Sequence, residues 1–404
     1  MSIFYLIFTI LAAYFSFRYD GIEEYNSHKQ HRLWFMCGYL ICLSGFSYGL
    51  GGDKFAYMQY YEEYPDSLSE AGEFIWLEFM AKGHMPLWTL VNIFAKTVFG
   101  SFYAVQIIES VAINVAVCFI VSKYTHRFFL FLLVYFFTLQ YFIFNTEVMR
   151  EGVAQAFALI GMYGWMNGKK WLYIITLVIA VLFHPSALTI LIFPLMRFKV
   201  SLSTIIYGLI TAFLIWFLSD LLLGKVMLSV AGGLGAMVQK VLFYSIKASN
   251  IFGFTRSVFT YLIFPLIIMY TAVQYEENDE LKKQKEQMMA FALALGIIVC
   301  SFTGFIRLYN SVRIFYLIMM TDFIYSMFKQ RKHLIIRLST LVGTIFLIGL
   351  QYMTPYKTTN TRFYDYFFPY TCILNEDKSV FIREIAHQEA VFEQESDDNV
   401  RNIK

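Results

Sequence analysis

Residues 102–121, FYAVQIIESVAINVAVCFIV, form a continuous apolar run with Glu109 as its only charged side chain. A helix rises about 1.5 Å per residue, so a run of about 20 apolar residues covers the hydrocarbon core of a bilayer. Comparable runs recur near 2–18, 33–50, 128–145, 151–167, 171–183, 185–196, 200–219, 257–275, 289–306, 312–328 and 334–353. The shorter run 86–99 opens at Pro86, carries Lys96, and reads as interfacial or re-entrant. Of the 404 residues 58% are hydrophobic and only 15% charged. A soluble fold of that length has too little polar side chain to cover its surface. This excludes a soluble enzyme and a disordered chain, and a net charge of +3 offers nothing to nucleic acid. Long continuous runs also differ from the short alternating strands of a membrane barrel. The expected class is therefore an all-α, polytopic integral membrane protein of about 12 spans.

The first run lacks a basic leader and a small-residue cleavage site, so it reads as a retained span. The five cysteines show neither CxxC nor metal-type spacing. Lysine and arginine set the orientation. With the N-terminus outside, the short inner loops hold Arg18, Lys29 and Arg32, then Lys123 and Arg127, Lys169 and Lys170, Arg197 and Lys199, Lys282, Lys283 and Lys285, and Lys329, Arg331, Lys332 and Arg337. The short outer loops then hold only Arg150, Arg307 and Arg313. This arrangement makes 171–196 a tight hairpin of two short arms with His184 at its outer tip. It gives a transmembrane catalytic domain over 1–353 with outer segments 51–101 and 220–256, followed by an extracytoplasmic tail over 354–404, aromatic then polar.

On this topology Asp53, Glu147, Arg150, His184, Arg307 and Arg313 fall at the outer ends of different spans. Ionisable residues that recur at one membrane depth mark a functional site. Arg150 reads either as a local ion pair with Glu147 or as a planar guanidinium for a phosphate. His184, in VLFHPSALTI, reads as a helix-break hydrogen-bonding group or as a general base. Asp53 follows two glycines and reads as a helix N-cap, or with Tyr57 one turn on as a sugar-binding pair. Tyr57, Tyr60 and the neighbouring aromatics suit sugar stacking, and interface belts use the same residues. Glu109 and Asp322 are the exceptions to otherwise nearly charge-free span centres, a feature a transporter would need.

The order of GGDKFAY after the second span, MREGVA at a span start, HPSA about thirty residues later, FIRLYNSVRIFY and the tail FFPY resembles the EpsG-like, Wzy-type bacterial polysaccharide polymerases. The resemblance implies a GT-C-like membrane glycosyltransferase in the bacterial cytoplasmic membrane. It implies joining of undecaprenyl-diphosphate-linked oligosaccharide units, donor and acceptor, on the outer face of that membrane. Its matching positions are Asp53, Arg150, His184, Arg307 and Arg313. The departing diphosphate would be held by Arg150, Arg307 and Arg313, with His184 as base and Asp53 positioning the acceptor. Tyr57, Tyr60 and Glu147 would contact sugar. No cofactor or metal is expected, because the chain has no DxD or His/Asp cluster. A flippase and a chain-length regulator of the same pathway are the expected partners. A lipid-linked oligosaccharide transporter and a glycan ligase are the competing readings.

Overall fold

The computed structural model describes residues 3–24, 26–230, 250–329, 333–353, 362–374 and 383. The expected outer segment 220–256 and the polar end of the tail lie largely outside the described residues. The described elements are helical, with one isolated bridge between Ser47 and Cys372. Helix limits follow local chemistry. Asn26 caps α2 (Ser27–Gly45) by accepting from Lys29 N, and Ser101 caps α6 (Phe102–Tyr124) by accepting from Tyr103 N. Pro86 opens α5 (Pro86–Phe99), where a missing N–H costs nothing.

Among the described residues, α6, Ile251–Gln274 and Leu334–Met353 are long and apolar enough to cross a membrane. The pair α7 (Phe128–Phe137) and Gln140–Glu147 passes that test together but bends by 78°. The sequence run 128–145 is thus broken, at Leu139, which adopts a left-handed backbone with φ 64°. Shorter apolar helices include α1 (Ile3–Tyr19) and α9 (Lys170–Phe183), which follows α8 (Met149–Met166). The expected arm 185–196 is a 3₁₀ helix over Pro185–Leu195. Its rise of about 2 Å per residue carries it further than an α-helix of the same length.

The chain divides into two compact units. The first comprises Met1–Phe157, Val178–Pro185 and Phe346–Lys404. Here α2 runs along α6, and α1 packs on α7. Where α2 ends, its orphaned carbonyls are met by one side chain: Gln106 Nε2 donates to the oxygens of Ser44, Gly45 and Ser47 at 2.6, 2.9 and 2.9 Å. At the other end of these helices two loops rich in basic residues meet. Lys29 Nζ donates to Ile22 O at 2.7 Å and to His126 O, and Arg127 pairs with Glu23 at 2.6 Å. Both loops fall on the same side in the charge-based topology.

The aromatic tail packs in this first unit. Tyr5 Oη donates to Phe367 O at 3.1 Å, and its ring meets Phe368 and Tyr370 edge-on. Buried Arg383 donates to Gly49 O at 3.2 Å and to Pro369 O at 2.6 Å, tying the tail to the glycine loop after α2.

The second unit comprises Ala158–Leu177 and Ser186–Ile345. Its helices α10 (Leu202–Val230), α11 (Ile251–Gln274), α12 (Asp279–Ser301) and α13 (Asn310–Lys329) pack around α12. Lys285 on α12 sits 2.8 Å from Asp322 and 2.7 Å from Glu276. Asp322 is therefore half of a structural ion pair.

Candidate functional site

The site in the first unit grows from two motifs. After α2, the glycine loop turns sharply and α3 (Lys54–Glu63) begins. Gly51 has φ +88°, and a Cβ there would sit 2.4 Å from Thr146 O. Only glycine allows that approach. The second motif opens α8. The five residues before it, Ile143–Glu147, form a π-turn, and Val148 (φ −113°, ψ 55°) is not helical. Glu147 and Arg150 are therefore not on one continuous helical face. Instead Glu147 Oε2 accepts a hydrogen bond from Gly52 N at 2.7 Å, joining the two motifs.

Arg150 lies in the first turn of α8 with its guanidinium over the Tyr57 ring, 5.6 Å from the centroid. Its buried Nε meets no acceptor among the described residues. Asp53 precedes α3 in helical backbone conformation, and its carboxylate makes no capping bond, so it is not the N-cap expected from sequence. Tyr57 is buried and set edge-on to Trp88 at 5.5 Å. Tyr60 meets the His84 ring edge-on at 4.9 Å, with Lys82 Nζ 5.6 Å above it. Tyr60 is half-buried.

Two further groups, His84 and Lys54, are not singled out by the sequence. His84, between the left-handed Gly83 that ends α4 (Ala71–Lys82) and Pro86, places Nδ1 2.8 Å from Glu78 Oε2 and 3.4 Å from Tyr64 Oη. Burial pushes His84 down to about 4, Arg150 adds to that shift, and Glu78 opposes it. Lys54, fully buried, donates to Ser47 Oγ at 2.9 Å, and burial pushes it down to about 7 against the pull of Glu109.

His184 follows the last residue of α9 and is half-buried, its N–H bonded to Ala180 O at 2.9 Å. The residue before it, Phe183, stacks on Phe157 of α8 at 5.8 Å. Arg150, Val153 and Phe157 share one helical face. The first turns of α8 and the last turns of α9 thus meet in the first unit. Arg307 and Arg313 belong to the second unit. Arg307 is exposed in the 3₁₀ segment Thr303–Tyr309, and half-buried Arg313 lies in the first turn of α13. The chain is not continuously α-helical between them. Among the described residues no group of three or more His, Cys, Asp or Glu is arranged to hold a metal ion.

The sequence model of the EpsG family matches residues 32–372, a span that holds every one of these site residues. No curated protein and no solved structure matches the chain.

Proposed function

Because the chain belongs to the EpsG family, a Wzy-like polysaccharide polymerase family, we propose that it polymerises lipid-diphosphate-linked oligosaccharide repeats at the outer face of the cytoplasmic membrane. Undecaprenyl diphosphate is the carrier in this reading, and a GT-C-like bundle of about 12 spans is its scaffold. The observation that carries it is Arg150: a guanidinium on an aromatic ring, at the start of a helix, with a buried N–H that meets no acceptor among the described residues. A planar fork of that kind matches a phosphate bidentately.

In this mechanism the acceptor hydroxyl attacks the anomeric carbon of the donor sugar. The bond to the diphosphate breaks, and its electron pair leaves with the diphosphate. Arg150, Arg307 and Arg313 stabilise the charge that builds there. Helix α8 adds the positive end of its dipole beside Arg150. Asp53 positions the acceptor, and His184 serves as a base or a phosphate ligand.

Purified protein reconstituted with the lipid-linked single repeat, and its products sized, tests the reading. A ladder of longer lipid-linked glycans is expected. Movement of the substrate across the bilayer without elongation would establish a transporter instead, and transfer only to a different acceptor would establish a ligase. Full activity of His184→Gln would exclude obligatory base catalysis by that side chain.

A further inference from the structure

Helices α4 and α5 of the first unit are built inside-out. On α4 the outward face carries Trp76, Leu77 and Met80, exposed by 63%, 56% and 63%, while Glu78 on the opposite face is only 6% exposed. Glu78 Oε1 pairs there with Lys82 at 3.0 Å, and Oε2 lies 2.8 Å from His84 Nδ1. On α5 the exposed Leu90, Phe94 and Val98 share one face, and Thr89, Asn92 and Lys96 share the other. The inward polar groups find backbone partners. Asn92 Nδ2 donates to Trp88 O at 2.8 Å, and Lys96 Nζ donates to Glu62 O and Tyr64 O at 3.0 and 2.6 Å.

A helix in water does the reverse, turning its apolar stripe to the core and its polar face outward. Hydrocarbon inverts that preference, because polar groups must then be satisfied inside the protein. The apolar surface also continues onto a helix long enough to cross the membrane. α4 packs on α5 and α5 on α6, and α6 carries Ile108, Val111 and Val115 exposed along one stripe. With 12 and 14 residues, α4 and α5 are about 18 and 21 Å long. Both fall short of the roughly 30 Å hydrocarbon core, so neither crosses it. Exposed Glu73 and Lys82, towards the two ends of α4, bracket its apolar middle. That is the pattern of a helix lying at headgroup depth.

We propose that α4 and α5 together form a lipid-embedded surface, covered by the acyl chains of the bilayer leaflet at the Ser101 end of α6. The segment 51–101 is then not a wholly aqueous domain. Trp76 suits the boundary between headgroups and chains, where its ring is apolar and its N–H meets water. Tyr64, Ala71 and Ile93 form a buried cluster, with Tyr60 and Phe74 packed against it, that ties the pair of helices to α3. The helix that holds Tyr57 beneath Arg150 therefore rests on a platform immersed in lipid. This surface needs only the membrane setting and stands apart from the polymerase reading.

The test uses the full-length protein in liposomes of phosphatidylcholine and phosphatidylglycerol. Cys42 and Cys372 are replaced by serine, and the buried Cys37, Cys118 and Cys300 stay in place. A nitroxide is attached through Trp76→Cys, Met80→Cys, Phe94→Cys or Val98→Cys, one at a time. Ser69→Cys, in the exposed polar turn before α4, gives the aqueous reference, and Val111→Cys on α6 gives the lipid reference. The readout is the ratio of collisions with oxygen, which partitions into lipid, to collisions with a water-soluble nickel chelate. It is expected to be several-fold higher at all four positions than at position 69, and to approach the value at position 111. A ratio at positions 76 and 80 like that at 69 puts α4 in water and overturns the proposal. Lipid-like ratios on α5 alone overturn it as well. Few collisions with either reagent would show that a second copy or another protein covers the face, and would overturn it too. Two positions on each helix keep the test decisive if one variant does not fold. A protein that makes no polymer can still give lipid-like ratios, so failure of the polymerase reading leaves this result untouched.

Discussion

Glu147 Oε2 accepts a 2.7 Å hydrogen bond from Gly52 N, so one carboxylate fastens the glycine loop after α2 to the turn that launches α8. The two motifs are far apart in sequence, and the bond joins the loop that carries Asp53 to the turn before Arg150. A charged hydrogen bond of this kind contributes about 1.5–3 kcal/mol. Glu147→Ala is expected to lower stability by about that much, and Glu147→Gln, which keeps an acceptor oxygen, by clearly less. Denaturation midpoints in detergent measure both. Equal losses from the two variants would show that charge or bulk, not the accepted bond, is what matters there.

Gly51 and Gly83 separate backbone strain from steric clash. Both have positive φ, +88° and +67°, but a Cβ on Gly51 would meet Thr146 O at 2.4 Å whereas Gly83 has open space. Gly83→Ala should therefore cost only the left-handed strain, about 1–2 kcal/mol. Gly51→Ala adds a backbone collision and should shift the midpoint further, with loss of polymer. A smaller shift for Gly51→Ala than for Gly83→Ala would remove the tight-turn account.

Much of this was legible in the residues. Apolar runs became helices, MREG marked the start of α8, and the charge pattern put the 18–32 and 123–127 loops on one side, where they hydrogen-bond. The break at Leu139 was not legible, because FTLQYF contains neither glycine nor proline and a left-handed leucine is imposed by tertiary packing. Hydropathy averaged over a span also hides where a polar atom points. Glu109, Gln106 and Asn114 lie on the same helix; Gln106 and Asn114 each donate to neighbours, while the Glu109 carboxylate meets no donor among the described residues. His84 and Glu78 pair locally, where the left-handed Gly83 ends α4 and turns the chain back on its last turn. Between Arg307 and Arg313 the chain changes from 3₁₀ to α-helix, a switch that the apolar pattern of FIRLYNSVRIFY does not mark.

Stability should rise with pH across two windows, both for the same reason. His84 drops from its ordinary value near 6.5 to about 4 through burial and Arg150, with Glu78, Lys82, Tyr60 and Tyr64 around it. As pH falls through that range the unfolded chain binds a proton that the folded chain refuses, so folding weakens. Lys54 drops from 10.5 to about 7 through burial. Between those values the unfolded lysine again holds the extra proton, so raising pH relieves the folded state. Thermal midpoints from pH 4 to 10 should lose part of their acid limb in His84→Gln and part of their alkaline rise in Lys54→Met. Profiles superimposable on wild type would mean that neither group is buried as described.

Arg150 is the side chain whose replacement should be felt most in chain growth. Its guanidinium rests on Tyr57, and its buried Nε meets no acceptor among the described residues. Removing one such donor from a transition-state contact typically costs 10²–10³ in rate, so Arg150→Ala is expected to leave lipid-linked single repeats with almost no polymer. Arg150→Lys keeps the charge but loses the planar fork, and about a tenfold loss is expected. Tyr57→Leu removes only the ring beneath the guanidinium, a contact of about 0.5–2 kcal/mol, and should slow elongation several-fold without abolishing it. Polymer length profiles and the pool of lipid-linked repeats, read in the same cells, order the three variants. Normal polymer in Arg150→Ala would detach this arginine from the diphosphate and leave it the structural role of a cation resting on the Tyr57 ring.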